Sequence, residues 1–227
     1  SVAALHNYAF YMGGIYFLYF LLKIVLDEEK KKNHALIFLT PLFHIGLLPL
    51  LIVPVFFTIV KQKTIWYIVL LILSITLSQT FLINKLEANL YGTETILDTK
   101  IKTYALGDGR ERLEQRYEAG YEAGNFNYRI LRDSRTWTNT IVVPLLLIFL
   151  LLNYKKIKQE KENLDLLNIS IASLSVTMLM LNISQGERFY LISGFMILAA
   201  YVYGIQKNNF SSFKYRFLLY VSLPIIV

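Results

Sequence analysis

A single ionisable residue, His44, lies near the middle of a long apolar run that extends from Ala35 to Val60. An imidazole can take up or release a proton near neutral pH, and it can also hydrogen-bond a ligand. Burying such a group at membrane depth is costly, so its presence there is by default a hypothesis of function. The alternative is an imidazole that only packs against a neighbouring helix, and the residues alone leave both interpretations open.

A second pair of candidates, Glu187 and Arg188, lies in a short polar turn between two apolar runs. A guanidinium group presents a fork of donors that suits phosphate, and a carboxylate can receive a proton from a sugar hydroxyl. The two side chains could instead pair with each other and do nothing more than close the turn.

A third group of candidates belongs to a polar segment rich in arginine and tyrosine. Its charge spacing and its duplicated Tyr-Glu-Ala-Gly motif predict a helix over Arg110–Tyr128. Arginines there could hold phosphate or sugar and tyrosines could stack on sugar rings, or the same side chains could form a solvated face with packed aromatics. The candidates are Arg110, Arg112, Arg116, Tyr117 and Tyr121.

The composition indicates an all-α, polytopic membrane protein that would hold these groups. Of the 227 residues, 55% are hydrophobic, and several runs approach the length of about 20 residues that a spanning helix needs. The chain has no cysteine, which excludes disulfides and thiolate metal sites. No metal-ligand cluster or nucleotide-binding motif is present, so we expect neither a metal nor another cofactor. The net charge of +7 comes mostly from lysines in short loops, which indicates topology and not binding to nucleic acid.

The apolar runs divide the chain into three parts. Residues 1–82 are predicted to form membrane segments with a proline-broken hairpin, residues 83–136 an outward-facing, partly helical segment, and residues 137–227 further membrane helices. We expect the chain to be incomplete at both ends. The six to seven predicted apolar segments are Val2–Leu26, the hairpin at 35–60, Thr64–Leu82, Trp137–Leu152, Leu164–Ile183, Phe189–Ile205 and a run from Phe217 onward.

The hairpin prediction depends on prolines and lysines. Pro41, Pro49 and Pro54 argue against one smooth helix, because each removes a backbone donor and clashes with the preceding turn. Cytoplasmic loops are enriched in lysine and arginine, which predicts that the basic loops 153–163 and 206–216 are inside and that 83–136 is outside. One crossing by 35–60 would put the lysines at 30–32 outside, whereas a re-entrant hairpin keeps them inside with His44 near its tip. A single kinked span is the alternative.

The motif around the histidine resembles the EpsG-like, Wzy-type bacterial polysaccharide polymerases. In that family Phe-His-x-Ser is followed by leucines and a proline, which here corresponds to Phe43-His44-Ile45-Gly46 and the residues up to Pro54, with glycine in place of the serine. Arg188, which precedes an aromatic and aliphatic run, matches the arginine of the family's late pair of spans, whereas Glu187 has no counterpart in the pattern.

The resemblance implies a glycosyltransferase, multi-pass in the bacterial inner membrane, that polymerises undecaprenyl-pyrophosphate-linked oligosaccharide repeat units at the outer face. Its partners would be the lipid-linked oligosaccharide, the bilayer and other polysaccharide-assembly proteins. In this scheme Arg188 and the arginines of 110–135 hold the pyrophosphate, and His44 or Glu187 receives the hydroxyl proton. The alternatives are a non-catalytic multispan subunit of a larger membrane complex and another polyprenyl-phosphate glycan transferase or ligase.

Overall fold

The computed structural model describes residues 2–26, 30–79, 141–180 and 188–207, and in these ranges all regular structure is helical, with no strand. The all-α prediction is therefore confirmed for this part of the chain. The predicted helix Arg110–Tyr128, the whole segment 83–136 and the run from Phe217 lie outside the described residues. The helices are α1 Val2–Leu26, α2 Lys30–Ile37, α3 Ile52–Val60, α4 Thr64–Gln79, α5 Val143–Leu152, α6 Tyr154–Ile157, α7 Lys161–Met180 and α8 Phe189–Gln206.

Three of these helices are long and apolar enough to cross a membrane, namely Tyr8–Leu26 within α1, all of α7 and all of α8. The apolar stretches Ile45–Val60, Thr64–Ser78 and Val143–Leu152 are shorter. Helix α1 has the bounds that the sequence predicts, and α8 ends one residue later than predicted. The fold thus supports a membrane protein with three candidate spans among the described residues.

The chain between α2 and α3 turns back on itself. The Nε2 atom of His34 lies 3.0 Å from Oγ1 of Thr58, and Thr58 Oγ1 donates its own proton to the carbonyl of Pro54 at 2.8 Å, so His34 is the donor of the first bond. A straight helix would separate residues 24 positions apart by roughly 36 Å. The chain therefore reverses direction within 35–60 and does not form one straight helix there, whereas its re-entry into the membrane stays a prediction.

The prolines explain how the reversal is built. Two 3₁₀ segments, Thr40–Leu42 and Ile45–Leu51, replace the α-helix at the tip of the hairpin. Pro41 lies in the first turn of one 3₁₀ segment and Pro54 in the first turn of α3. Backbone N–H groups have no intrahelical partner in a first turn, so proline costs little there.

Helix α7 is the centre of the bundle. In its apolar stretch 83% of the residues are buried, whereas the corresponding fractions are 39% for α1 and 56% for α8. Two of its buried hydroxyls bond to its own backbone, with Ser170 donating to Leu166 O at 2.7 Å and Ser175 donating to Ile171 O at 2.8 Å. Small residues let neighbouring helices approach closely, and the internal bonds satisfy these two hydroxyls. Helices α3, α4 and α8 pack around this core.

Helices α1 and α8 run in the same direction. The ring of Phe10 packs edge-to-face on Phe189 at the start of α8, with 5.6 Å between centroids. One turn later, Gly14 faces Ile192. The starts of both helices therefore lie at the same end of the bundle.

Helix α5 shares this direction, because Val143 at its start lies beside Gly194 and Phe149 packs on Tyr201 with 5.5 Å between centroids. Helix α7 runs the opposite way. The hydroxyl of Thr177, near its end, lies 3.2 Å from the carbonyl of Phe189 at the start of α8.

The bundle consequently has two distinct ends. The histidine end comprises the part of α1 around Phe10, the starts of α5 and α8, the last turn of α7 and the tip of the hairpin. The lysine end comprises the opposite ends of these helices, the start of α2 and the loops that join α3 to α4 and α5 to α7. It contains every lysine of the described residues, namely Lys23, Lys30, Lys31, Lys32, Lys61, Lys63, Lys155, Lys156, Lys158, Lys161 and Lys207.

Candidate functional site at the histidine end

One buried aromatic ring, that of Phe10, joins three distant parts of the chain. The imidazole of His44 meets it edge-on, with 5.2 Å between centroids and 87° between planes. The guanidinium carbon of Arg188 lies 5.9 Å from the centre of the same ring, and Phe189 packs against its edge. His44 and Arg188, which were both candidates from the sequence, thus contact the same ring. Phe10, which provides that ring, was not a candidate.

His44 is the N-cap of the second 3₁₀ segment. Its backbone is extended (φ −159°, ψ 121°), and its Nδ1 atom accepts a hydrogen bond from the backbone N–H of Gly46 at 3.0 Å. Its carbonyl accepts from the N–H of Leu47 at 2.9 Å. A side chain that caps its own helix in this way satisfies a donor that would otherwise have no partner. The cap and the Phe10 contact together fix the orientation of the partly buried imidazole.

The cap also fixes where the imidazole carries its proton. Because Nδ1 accepts from a backbone donor, a neutral ring must have its hydrogen on Nε2. The Nε2 atom of His44 is therefore a hydrogen-bond donor in this arrangement. For Nε2 to accept a proton instead, the ring would have to move its hydrogen to Nδ1 and lose the bond from Gly46.

Gly46 is required for this geometry. A Cβ atom built on it would lie 2.8 Å from Nδ1 and 2.9 Å from Cε1 of His44, closer than real Cβ contacts. A serine at this position would displace the imidazole from its cap. The glycine therefore makes room for His44, and no hydroxyl chemistry is available at position 46.

The adjacent glycines of α1 make the approach of the hairpin possible. A Cβ on Gly13 would lie 2.5 Å from Leu47 and 2.9 Å from Phe43, so α1 passes directly against the tip. A Cβ on Gly14 would lie 3.3 Å from Ile192 of α8. Each glycine of this pair thus faces a different neighbour.

Arg188 lies at the N-cap position of α8 and is partly buried. A cation over an aromatic face is stabilised by the ring quadrupole, which accounts for its position above Phe10. A positive charge at a helix N-terminus is unfavourable, because the backbone N–H groups there already carry partial positive charge. The guanidinium group and the first turn of α8 together favour an anion at this place.

The other predicted site residues cannot be placed next to this pair. Glu187, Arg110, Arg112, Arg116, Tyr117 and Tyr121 lie outside the described residues. Phe10 was missed because nothing in the aromatic-rich first span distinguishes it from its neighbours. Within the described ranges, no group of three or more His, Cys, Asp or Glu residues could hold a metal ion.

A second polar region lies inside the bundle on α7. Asn163 and Asn168 are fully buried, and neither side-chain amide has a hydrogen-bond partner among the described residues. Asp165, also buried, lies near the start of α7, towards the lysine end. These groups lie away from His44 and Arg188 and form no part of that site.

No protein-family model, curated protein or solved structure matches the chain.

Proposed function

We propose that this chain is a membrane-embedded glycosyltransferase that polymerises undecaprenyl-pyrophosphate-linked oligosaccharide repeat units at the outer face of the bacterial inner membrane. One observation carries the proposal: His44 and Arg188 share the Phe10 ring at the end of the bundle opposite the lysines. It is also supported by the resemblance of the His44 and Arg188 motifs to the polysaccharide polymerases.

The lysines supply the proposed orientation. Lysine-rich short loops are retained in the cytoplasm, so the lysine end is inside and the histidine end is outside. In this orientation the hairpin enters and leaves from the cytoplasmic side with its tip reaching towards the outer side, and the lysines at 30–32 lie with the others. The full chain would contain six to seven membrane segments, with 83–136 at the outer face.

The anion preference at Arg188 suits a pyrophosphate. A guanidinium fork can hold two phosphate oxygens at once, and the first turn of α8 adds backbone donors. The negative charge that develops on the departing pyrophosphate would be stabilised by groups already fixed in place. The arginines of 110–135 would add to this binding.

The reaction divides the roles between two side chains. An acceptor sugar hydroxyl attacks the anomeric carbon, the bond from that carbon to the phosphate oxygen breaks, and undecaprenyl pyrophosphate leaves. His44, held with its proton on Nε2, donates a hydrogen bond to the pyrophosphate or to the sugar. The hydroxyl proton then goes to a carboxylate, for which Glu187 is the candidate because it adjoins Arg188.

Replacing Arg188 tests this proposal. In cells that depend on this protein for their polymer, Arg188→Lys should fail to restore polymer length, because a point charge does not replace the bidentate fork. Polymer would be measured on gels, with the protein level in membranes as the control. Normal polymer in Arg188→Ala and in His44→Ala at normal protein level would make the chain a non-catalytic subunit.

A further inference from the structure

Two loops that are far apart in sequence meet at the lysine end. The hydroxyl of Tyr154, at the start of α6, lies 3.4 Å from Oγ1 of Thr64, the first residue of α4, across 90 positions of the chain. Tyr67 donates to the carbonyl of Lys61 at 2.8 Å and holds the α3–α4 turn against the bundle. Residues 61–63 and 154–158 therefore form one continuous surface.

This surface, which we call the basic platform, is formed by five exposed lysines, Lys61, Lys63, Lys155, Lys156 and Lys158. Its inner side is anchored by Ile157 and Tyr67, both fully buried. Because α6 turns Ile157 inwards, its lysines project away from the core. The two segments that form the platform contain no carboxylate, and Glu160 and Glu162 follow only after it.

An apolar face adjoins the platform. Trp66 and Ile65, at the start of α4, are 54% and 63% exposed, and Val69 continues the same exposed face one turn further along. Tryptophan is enriched at the level of lipid headgroups, where one part of the ring is apolar and the other is wet. Ammonium groups beside an exposed apolar helix face match a molecule with an anionic head and hydrocarbon chains.

We propose that the basic platform binds the headgroups of anionic phospholipids, with their acyl chains against the exposed face of α4. Each lysine near an anionic membrane surface contributes roughly 1 kcal/mol of attraction, which corresponds to about fivefold in association. Five lysines on two loops, which the Tyr154–Thr64 hydrogen bond joins, concentrate this attraction at one place. The proposal does not depend on the glycosyltransferase proposal.

Trp66 provides the readout. The chain has two tryptophans, so Trp137→Phe leaves Trp66 as the single fluorophore. This protein would be reconstituted in phosphatidylcholine vesicles with increasing fractions of phosphatidylglycerol, and bromine would be placed on the acyl chains of one lipid or the other. We expect brominated phosphatidylglycerol to associate at Trp66 at least about fivefold more strongly than brominated phosphatidylcholine, and added salt to weaken this preference.

Two variants make the test specific. Changing the five platform lysines to glutamine should reduce the preference to near onefold, whereas changing them to arginine should keep it. Lys207→Gln is the matched control, because Lys207 lies at the same end but over Tyr203 of α8, and it should leave the preference unchanged.

Four outcomes would overturn the proposal. They are equal quenching by the two lipids in the parent protein, a preference that persists in the glutamine variant, an equal loss in Lys207→Gln, and displacement of the brominated lipid by millimolar inorganic phosphate. The third would indicate diffuse surface charge, and the fourth a site for soluble anions.

Discussion

The two ends of the helical bundle carry positive charge in different ways. At the lysine end, many exposed ammonium groups project from short loops into solvent. At the histidine end, within the described residues, the permanent cation is Arg188, which is partly buried above the Phe10 ring that the capped imidazole of His44 also contacts. The lysine end suits attraction to a charged surface. The histidine end suits the binding of one anionic group in one orientation.

Close packing accompanies the arrangement at the histidine end. Gly13, Gly14 and Gly46 each bring backbone or a side chain into tight contact at the histidine end. Fixed geometry of this kind is what a site needs if its groups are to act on a transition state without reorganising. The following experiments test this contrast, from the largest expected effect to the smallest.

The largest effect is expected from His44. If its Nε2–H stabilises the departing pyrophosphate, His44→Ala should reduce polymer formation by about 10²–10³-fold, as the loss of one preorganised donor does elsewhere. His44→Asn should retain more activity, because asparagine can still cap the 3₁₀ segment and can donate a hydrogen bond. Polymer length on gels, with membrane protein level as control, measures both.

The same series distinguishes a donor from a base. If His44 accepts the hydroxyl proton, asparagine and glutamine should both fail, because neither titrates near neutral pH. Normal polymer in all three variants would remove His44 from the site and would weaken the polymerase proposal.

A smaller effect is expected from Gly46→Ala. The added Cβ would press on Nδ1 of His44 and move the imidazole without removing it, and a shift of about 1 Å can cost as much as 10²-fold. Gly194→Ala is the matched control, because its Cβ would meet Val143 at an ordinary 3.5 Å. Equal activity of the two variants would show that the seating of His44 does not matter.

Thr58→Val should lower stability by about 1 kcal/mol, because it removes the acceptor for His34 and the bond to Pro54 while keeping the shape of the side chain. Thermal unfolding in detergent would measure the change. Thr76→Val is the control: this exposed hydroxyl bonds within α4 and joins no second segment. A larger loss in the control would show that the His34–Thr58 contact does not hold the hairpin closed.

Single cysteine substitutions for topology mapping are expected to have the smallest effect on activity and stability. A cysteine at position 31 or 156 should react with a membrane-impermeant maleimide only after the membrane is opened, and a cysteine at position 120 should react from outside. The chain has no cysteine of its own to interfere. Labelling of position 31 from outside would reverse the assignment of that lysine cluster and exclude the re-entrant hairpin.

Local signals predicted the elements well. An apolar run followed by lysine gave both bounds of α1, and three prolines predicted that residues 35–60 do not form one helix. The grouping of lysines 30–32 with the other lysines followed from a charge rule and agrees with the His34–Thr58 contact. These features could be predicted because each depends on residues that are near one another in the chain.

The site could be predicted only in part. His44 was identified by its cost in an apolar run and by its motif, and Arg188 by its guanidinium chemistry and its motif, but their common contact with Phe10 depends on how α1, the hairpin and α8 pack. The donor state of Nε2 depends on one backbone N–H, that of Gly46. Neither tertiary contact leaves a periodic or compositional trace in the sequence.

The polar interior of α7 has a consequence for how the protein is made. A helix that carries Asn163, Asp165 and Asn168 in its first half is a poor substrate for release into lipid by itself, because such side chains oppose partitioning from the translocon. Helix α8 emerges from the ribosome soon afterwards and packs against α7 in the opposite direction. We therefore expect α7 to remain at the translocon until α8 has been synthesised. The two helices would then enter the bilayer as a pair.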